Sequence, residues 1–428
     1  MKTGRSMRAK TGRAAGTGKA AGTGRATGTG RAARTRVLEM ARKYEDRVIS
    51  MRRAFHKIPE ASFAEFKTQA RVCSLLKQAG IPYKSPVAGT GVVGMIHGGG
   101  GATIALRTDM DALELGEETG LSFASTHDGL MHACGHDAHM AMTIGAGLVL
   151  KAMGKDLPGN VKLIFQPAEE KPPGGAPGMI KAGVLKNPRV DALLGIHLWH
   201  PAREGQVGLN SGPMSAAADD FRVVIKGRGG HGARPHEVVD SIVVAAEFVT
   251  ALQTIVSRRV DPMESAVISV GKIRGGSRFN VIAPEVEMEG TARTQSRALR
   301  RQVPGMMRDL LRHISKAHGA TGKLEYIWGY PAIMCDENLT GIATAACAEI
   351  LGKRNVLAHR GFEMGGEDIA YFAEKVPTTV IFLGVGRKSG RGYPIHHPKF
   401  TFDERVLRTG VSALALTALR YLERKRGE

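Results

Sequence analysis

Four short apolar runs constrain this 428-residue chain most: "TIAL" (103–106), "VKLIF" (161–165), "ALLGI" (192–196) and "TTVIFLG" (378–384). A strand that is apolar at every position must be covered on both faces, which is the condition of a parallel strand inside an α/β sheet. The segments between them have helical spacing. Met140, Ile144, Gly147 and Leu148 share one face of a helix predicted over 139–152, and Leu38, Ala41, Tyr44, Val48, Met51 and Phe55 recur every three or four residues. Alternating strands and helices predict an α/β fold, a mainly parallel sheet with helices on both faces.

Residues 216–328 break the alternation. Their pattern predicts strand 220–226, helix 237–257, strand 265–273, strand 285–293, helix 297–318 and strand 323–328. The order βαββαβ is that of a ferredoxin-like unit. It falls between two strands of the larger sheet, so 216–328 is expected as a domain inserted on two hinges into a larger one built from 37–215 and 329–428. Pro304 should kink the second helix.

Each apolar run leads into residues that carry chemistry. Arg107, Asp109 and Asp111 come after the first, Glu169 and Glu170 of "QPAEE" after the second, His197 after the third, and His396 of "HHP" stands a dozen residues beyond the fourth. In open α/β sheets ligands bind beyond the carboxyl ends of the strands, so acids and histidines are expected along one edge. The stretch "MHACGHDAH" (131–139) adds three histidines, a cysteine and an aspartate. Gly135 argues against a helix there. The segment is then extended or a loop, and in extended chain Cys134 and His136, two apart, point the same way. A thiolate with an imidazole suits zinc, manganese, cobalt or nickel better than calcium or magnesium. Neighbouring glutamates in extended chain point to opposite sides, one to ligate and the other to act as a base. Metal-assisted hydrolysis needs that division. With Cys134, His136, one of the glutamates, His197 and His396, the candidate ligands outnumber those of one tetrahedral ion, and two ions are expected.

The net charge of +20 invites a nucleic-acid reading, but residues 1–36 hold ten of the Lys and Arg and no acid. A Thr-Gly-basic triplet recurs through that segment, at 3–5, 11–13, 17–19, 23–25 and 29–31. Such composition buries no core, so a disordered tail is expected over 1–36. It has no apolar core of a secretory signal; its arginines and lack of acids are those of an organellar transit peptide, the secondary reading, but it lacks the amphipathic face of one. The remaining positive charge is scattered, without the aromatic stacking pattern of a nucleic-acid module, so nucleic acid is not expected as a partner. No run of eighteen apolar residues predicts a membrane span. Cys73, Cys134, Cys335 and Cys347 lie far apart with no export signal, which points to a reducing, cytoplasmic setting. In "KGRGGHGARPH" (226–236), the glycines before His231 either present its imidazole or form a plain hairpin loop, and both readings stand. Asn280, in "SRFNVIAPE", is a polar residue just before a strand.

Taken in order, "RTDMDALEL", "HACGHDAHMAM", "IFQPAEE", "GIHLWHP", "GRGGHGARPH", "FNVIAPE", "GGEDIAYF" and "IHHPKF" resemble the aminoacylase/carboxypeptidase-type metal-dependent amidohydrolases, from about residue 40 to the end. The chain is most similar to their hippurate hydrolase and auxin-conjugate amidohydrolase branch. The resemblance implies a zinc-peptidase-like catalytic domain with an inserted lid. It implies Cys134, His136, Glu170, His197 and His396 as ligands of two divalent ions, manganese or zinc with cobalt or nickel as alternatives. Cys134 stands where relatives outside the branch have a bridging carboxylate. Glu169 matches the general acid/base and Asp111 the acid that orients a ligand. His231 matches a lid histidine that reaches the partner subunit's site and stabilises an oxyanion, and Asn280 a lid residue that holds substrate. The implied substrates are N-acyl amino acids, with dipeptides or carbamoyl amides as the alternative, and the implied assembly is a homodimer through the lid. Three departures stand out: "LELGE" replaces the usual "LPxxE", prolines stiffen the loop after "PAEE", and His397 stands next to His396 where Ser or Asn is usual. His397 is the less favoured ligand because of its spacing from Pro398.

Overall fold

The computed structural model describes residues 28–358, 364–386 and 392–428. The described residues open with two helices, α1 (Gly28–Lys43) and α2 (Glu45–His56), where the periodicity predicts one; they part at Tyr44. The start of α1 corrects the tail expected over 1–36, of which residues 1–27 lie outside the described residues. Two of the three arginines of 28–36 are tied to the fold. Arg34 donates to the carbonyl of Glu349 (2.8 Å), and Arg36 pairs with Asp156 (2.5 Å) and donates to the carbonyl of Ala152 (2.8 Å). Val37 and Ala41, on the same helix, are buried.

Next come α3 (Phe66–Gln78), β1 (Tyr83–Val87), β2 (Gly91–Ile96), β3 (Thr103–Asp109), α4 (His136–Ala152), β4 (Asn160–Gln166), β5 (Ala192–Arg203) and β6 (Val207–Leu209). After the insertion the larger unit resumes with α7 (Glu337–Leu351), β11 (Val356–Ala358), β12 (Thr378–Gly386) and α8 (Val406–Gly427). Eight strands form one sheet in the order β1–β2–β4–β3–β5–β12–β6–β11. The four apolar runs make its centre, where β4–β3, β3–β5 and β5–β12 are parallel. The antiparallel pairs β1–β2 and β2–β4 extend one side.

Why these runs are mostly apolar is visible in the packing. Leu106, Leu163, Leu194 and Ile381 face one core with α1, α2, α4, α7 and α8. Their chain neighbours Ala105, Ile164, Leu193 and Val380 face a second core with Met179 and Phe372. Alternate side chains of one strand thus enter opposite layers.

The inserted segment comprises β7 (Ala217–Lys226), α5 (Ser241–Thr254), β8 (Ala266–Gly275), β9 (Glu285–Thr294), α6 (Arg297–Ala317) and β10 (Thr321–Tyr330). Its sheet is antiparallel in the order β8–β9–β7–β10, the ferredoxin-like arrangement. It has its own core of Phe221, Val223, Phe248, Met288 and Leu311. α5 starts at Ser241, later than the predicted 237, because Asp240 caps it by accepting from the backbone N–H of Ile242 (2.9 Å). Pro304, expected to kink α6, is buried within that helix, which continues to Ala317.

Candidate metal centre

The carboxyl ends of β3 and β4, the middle of β5 and the chain beyond β12 meet at one place. His197 sits inside β5, which continues to Arg203, so it is not the strand-end residue the run "ALLGI" predicts. The expectation of an extended Cys134–His136 segment is also corrected. His136 is the first residue of α4, and Gly135 before it has φ +93°. Only glycine adopts that conformation cheaply, and a Cβ here would lie 2.5 Å from a methyl of Leu198. The turn at Gly135, not strand geometry, brings Cys134 and His136 together.

Around this turn the candidate ligands converge. Cys134 Sγ lies 3.4 Å from His197 Nε2. His136 Nε2 is 3.7 Å from Glu170 Oε1 and 3.9 Å from Glu169 Oε2. His396 Nε2 is 3.5 Å from Glu170 Oε1. Two groups, Cys134–His136–His197 and Cys134–Glu170–His396, each have their ligand atoms within 4.8 Å of one another and share the cysteine. The five groups that sequence places far apart therefore stand around a common centre.

The imidazoles are already oriented. Nδ1 of His197 donates to the carbonyl of Leu198 (2.7 Å), and Nδ1 of His136 to the carbonyl of Asp111 (2.9 Å). Both leave a bare Nε2 toward the centre. His136 Nε2 and Glu170 Oε1 are buried with no hydrogen-bond partner. Unsatisfied polar atoms of that kind call for a missing partner. A lone pair, a thiol and a carboxylate aimed at one point fit a divalent metal cation.

Electrostatics agree. Burial, with Glu367 and Glu170 nearby, pushes the Glu169 carboxyl well above the usual range. Burial pushes Glu170 up to about 7 and His197 down to about 3. Burial opposes charge on His136, yet Asp109 and Cys134 hold its imidazole well above the ordinary value. The surroundings favour positive charge at that Nε2, and a cation supplies it.

The glutamate-bearing turn is held by its backbone. The two oxygens of Asp111 accept the N–H of Glu169 and of Glu170, both at 3.0 Å, and the Ser62 hydroxyl donates to the same carboxylate (2.6 Å). Glu65 Oε1 accepts the N–H of Ala168 (2.8 Å), whose φ is +53°. Three successive amides are thus fixed by two buried carboxylates, which aims the glutamate side chains.

Sequence reasoning singles out Asp111 but misses Glu65, which has no metal-capable neighbour in the chain. It assigns no role to His139. His139 bonds Asp109 through Nδ1 (2.9 Å) and accepts the Leu198 N–H at Nε2 (3.0 Å), so neither nitrogen is available to an ion. Arg107, in sequence only a strand-end charge, is buried among Asp109 (3.0 Å), Glu367 (3.1 Å) and Asp368 (2.7 Å), and it balances the acids behind Glu169. Glu367 lies in the quoted block "GGEDIAYF" and lines the cavity. That cavity, about 350 Å3, holds Cys134, Glu169, Glu170, His197 and His396 against Trp199, Ile333 and Phe382. His231 and Asn280 are elsewhere. Both are exposed on the inserted unit, where His231 pairs with Val281 and the Gly232 N–H donates to the Asn280 carbonyl (2.9 Å). Within one chain neither lines the cavity.

The profile of peptidase family M20/M25/M40 matches residues 105–420. The chain belongs to this family. It is 41% identical to an N-acetyl-L-cysteine deacetylase of Bacillus subtilis over 364 residues, 85% of each chain. It is 44% identical to an N-acyl-L-amino acid amidohydrolase of Geobacillus stearothermophilus over 292 residues, 68% of this chain and 78% of that one. Among solved structures, a Bacillus subtilis protein described as a dinuclear metal binding peptidase of the M20 family superposes with TM-score 0.79 at 35% identity, over 89% of this chain and 99% of that one. The chain is accordingly a metal-dependent hydrolase of amide bonds, as the cation-seeking geometry of the centre requires.

Proposed function

We propose that this M20-family enzyme hydrolyses N-acyl amino acids to a carboxylic acid and a free amino acid. The observation that carries the reading is the pairing of adjacent glutamates. Glu170 joins Cys134 and His396 in one ligand group, while Glu169 lies within ligand reach of His136 and Glu170 but not in either group that shares Cys134, in an apolar-walled cavity with its carboxyl pushed up by burial. Two divalent cations, manganese or zinc, held by Cys134, His136, Glu170, His197 and His396, would lower the pKa of a water and polarise the amide carbonyl. Glu169 takes the proton of the attacking water and passes it to the leaving amine. A carboxyl whose pKa lies above the usual range suits both halves of that transfer.

His231, supplied by a partner subunit, would meet the oxyanion, with Asn280 holding the substrate. An assembly through the inserted unit is supported by its open flank. β8 is an edge strand, and Ile242, Val243 and Ile273 are exposed at 47%, 52% and 54%. The use of Cys134 as a ligand needs a reduced thiol, which favours a reducing, cytoplasmic setting; the four cysteines are free.

The test is metal analysis of the purified protein with a panel of N-benzoyl, N-acetyl, N-carbamoyl and dipeptide substrates. Glu169→Gln should keep its metal and lose turnover by roughly 10²–10⁴-fold. Near-normal rates in that variant would remove Glu169 from its role, and preference for dipeptides or carbamoyl amides would change the substrate class.

A further inference from the structure

The backbone around Glu169 is gripped from two directions. Its own N–H, that of Glu170 and that of Ala168 go to Asp111 and Glu65, both in the larger unit. Its carbonyl does not. It accepts a hydrogen bond from the Tyr330 hydroxyl at 2.7 Å. Tyr330 is the last residue of β10, the strand by which the chain returns from the inserted sheet, and it pairs there with Ala218 on β7. It is buried, with 5% of its surface exposed.

This hinge is built stiffly. A Cβ on Gly329 would lie 1.9 Å from the Ala218 carbonyl, so the outgoing and returning strands touch where the inserted unit begins. The Gly329 N–H donates to buried Asp219 (2.9 Å), and its carbonyl accepts from Arg300 (2.7 Å) and from the Tyr371 hydroxyl (3.1 Å). Arg300 also clasps Asp219 through two nitrogens, at 2.9 and 2.7 Å. Tyr330 leaves this clasp with its backbone oriented by the inserted unit and its hydroxyl on the peptide of Glu169.

We propose that Tyr330 is a positioning residue: its hydroxyl fixes the peptide plane of Glu169 and so ties the aim of that carboxylate to the placement of the inserted domain. The proposal rests on the reading of Glu169 as the proton carrier. No other hinge residue among the described residues donates to the Glu169 turn, so removing this one hydroxyl should loosen the peptide between Glu169 and Glu170 on its carbonyl side, while Asp111 still holds its N–H and every metal ligand and cavity-wall residue is kept.

The experiment compares Tyr330→Phe, Tyr371→Phe and Glu169→Gln in the metal-loaded protein, with an N-benzoyl or N-acetyl amino acid as substrate. Each variant is followed by kcat, KM, metal content and Tm. The two tyrosines stack edge to face, with ring centroids 6.3 Å apart, and each phenylalanine variant removes one hydroxyl from the same hinge. Only Tyr330 reaches Glu169. Tyr330→Phe should lower kcat about tenfold with KM within about twofold and metal content unchanged, while Tyr371→Phe lowers kcat by less than about threefold. Wild-type kcat in Tyr330→Phe, or equal falls in both tyrosine variants, would overturn the assignment in favour of general hinge stiffness. If Glu169→Gln is inactive while Tyr330→Phe keeps its rate, only the tyrosine's role fails. If Glu169→Gln itself keeps turnover, the reading of Glu169 fails and takes this proposal with it.

Discussion

Glu65 shows how much of a metal site is built by residues that never meet the metal. Its carboxylate is fully buried and accepts the N–H of Phe63 (2.9 Å), the N–H of Ala168 (2.8 Å) and the Thr90 hydroxyl. Burial raises its pKa, so its cost is met only because every neighbour donates. Replacing it with Gln puts an NH2 donor among donors. Glu65→Gln should therefore lose about 1–3 kcal/mol of stability in a denaturant titration, together with a fall in kcat as the Ala168 turn relaxes. Retention of both would show that Asp111 alone holds the turn. The same scale explains which motif residues are legible in sequence. Cys134, His136 and Glu170 announce themselves by residue type. Glu65 and Tyr330 act through backbone groups, which any residue carries, and no local pattern marks the chain segment they serve.

Helices α2, α4 and α8 meet behind the centre through charge. Arg52 on α2 donates to Asp137 on α4 (2.7 Å) and pairs with Glu404 just before α8 (3.2 Å). His56 pairs with Asp137 (2.8 Å) and Glu117 (3.2 Å). Both Arg52 and Asp137 are buried, so their charges are tolerated only because they are paired with each other and with Glu404 and His56. Burial lowers the His56 pKa, but Asp137 and Glu117 outweigh it and the net shift is upward. A raised folded pKa fixes the sign. The stabilising contribution of His56 is full below its unfolded value of about 6.5 and is lost as pH rises through the folded value. The stability gap between the wild type and His56→Gln, read from urea midpoints, should accordingly shrink as pH rises from about 6 to 9. A gap that widens would contradict the charged pairing. This cluster anchors the first turn of α4, the helix that His136 opens, so its loss should also weaken metal retention.

For the whole molecule, the proposed assembly would link the exposed flank of the inserted unit to His231, which does not line the cavity of its own chain. If a second copy covers β8 and α5, Ile273→Glu should give a monomer by sedimentation, with its metal retained and its turnover lost for want of the partner's His231. An Ile273→Glu monomer with full activity would show that one chain suffices. The +20 charge, which sequence shows scattered beyond the first 36 residues, finds a partly structural use: Arg34, Arg36, Arg52, Arg107, Arg300 and Arg420 are all tied to carbonyls or carboxylates within the fold.

The sequence by itself determined the α/β sheet of apolar strands, the βαββαβ insertion and the residues that carry metal chemistry. Each depends on side-chain type and short-range period, which a linear chain displays directly. Only the tertiary structure decided that Gly135 turns left-handed to open α4 on His136, that residues 28–36 belong to helix α1, and that His197 acts from within a strand. It alone showed that the carboxylates of Glu65 and Asp111 and the phenol of Tyr330 hold the turn of Glu169. These are contacts between residues 58 to 161 positions apart, made through backbone amides and carbonyls. Such groups are the same at every position, so their partners emerge only when the chain is folded.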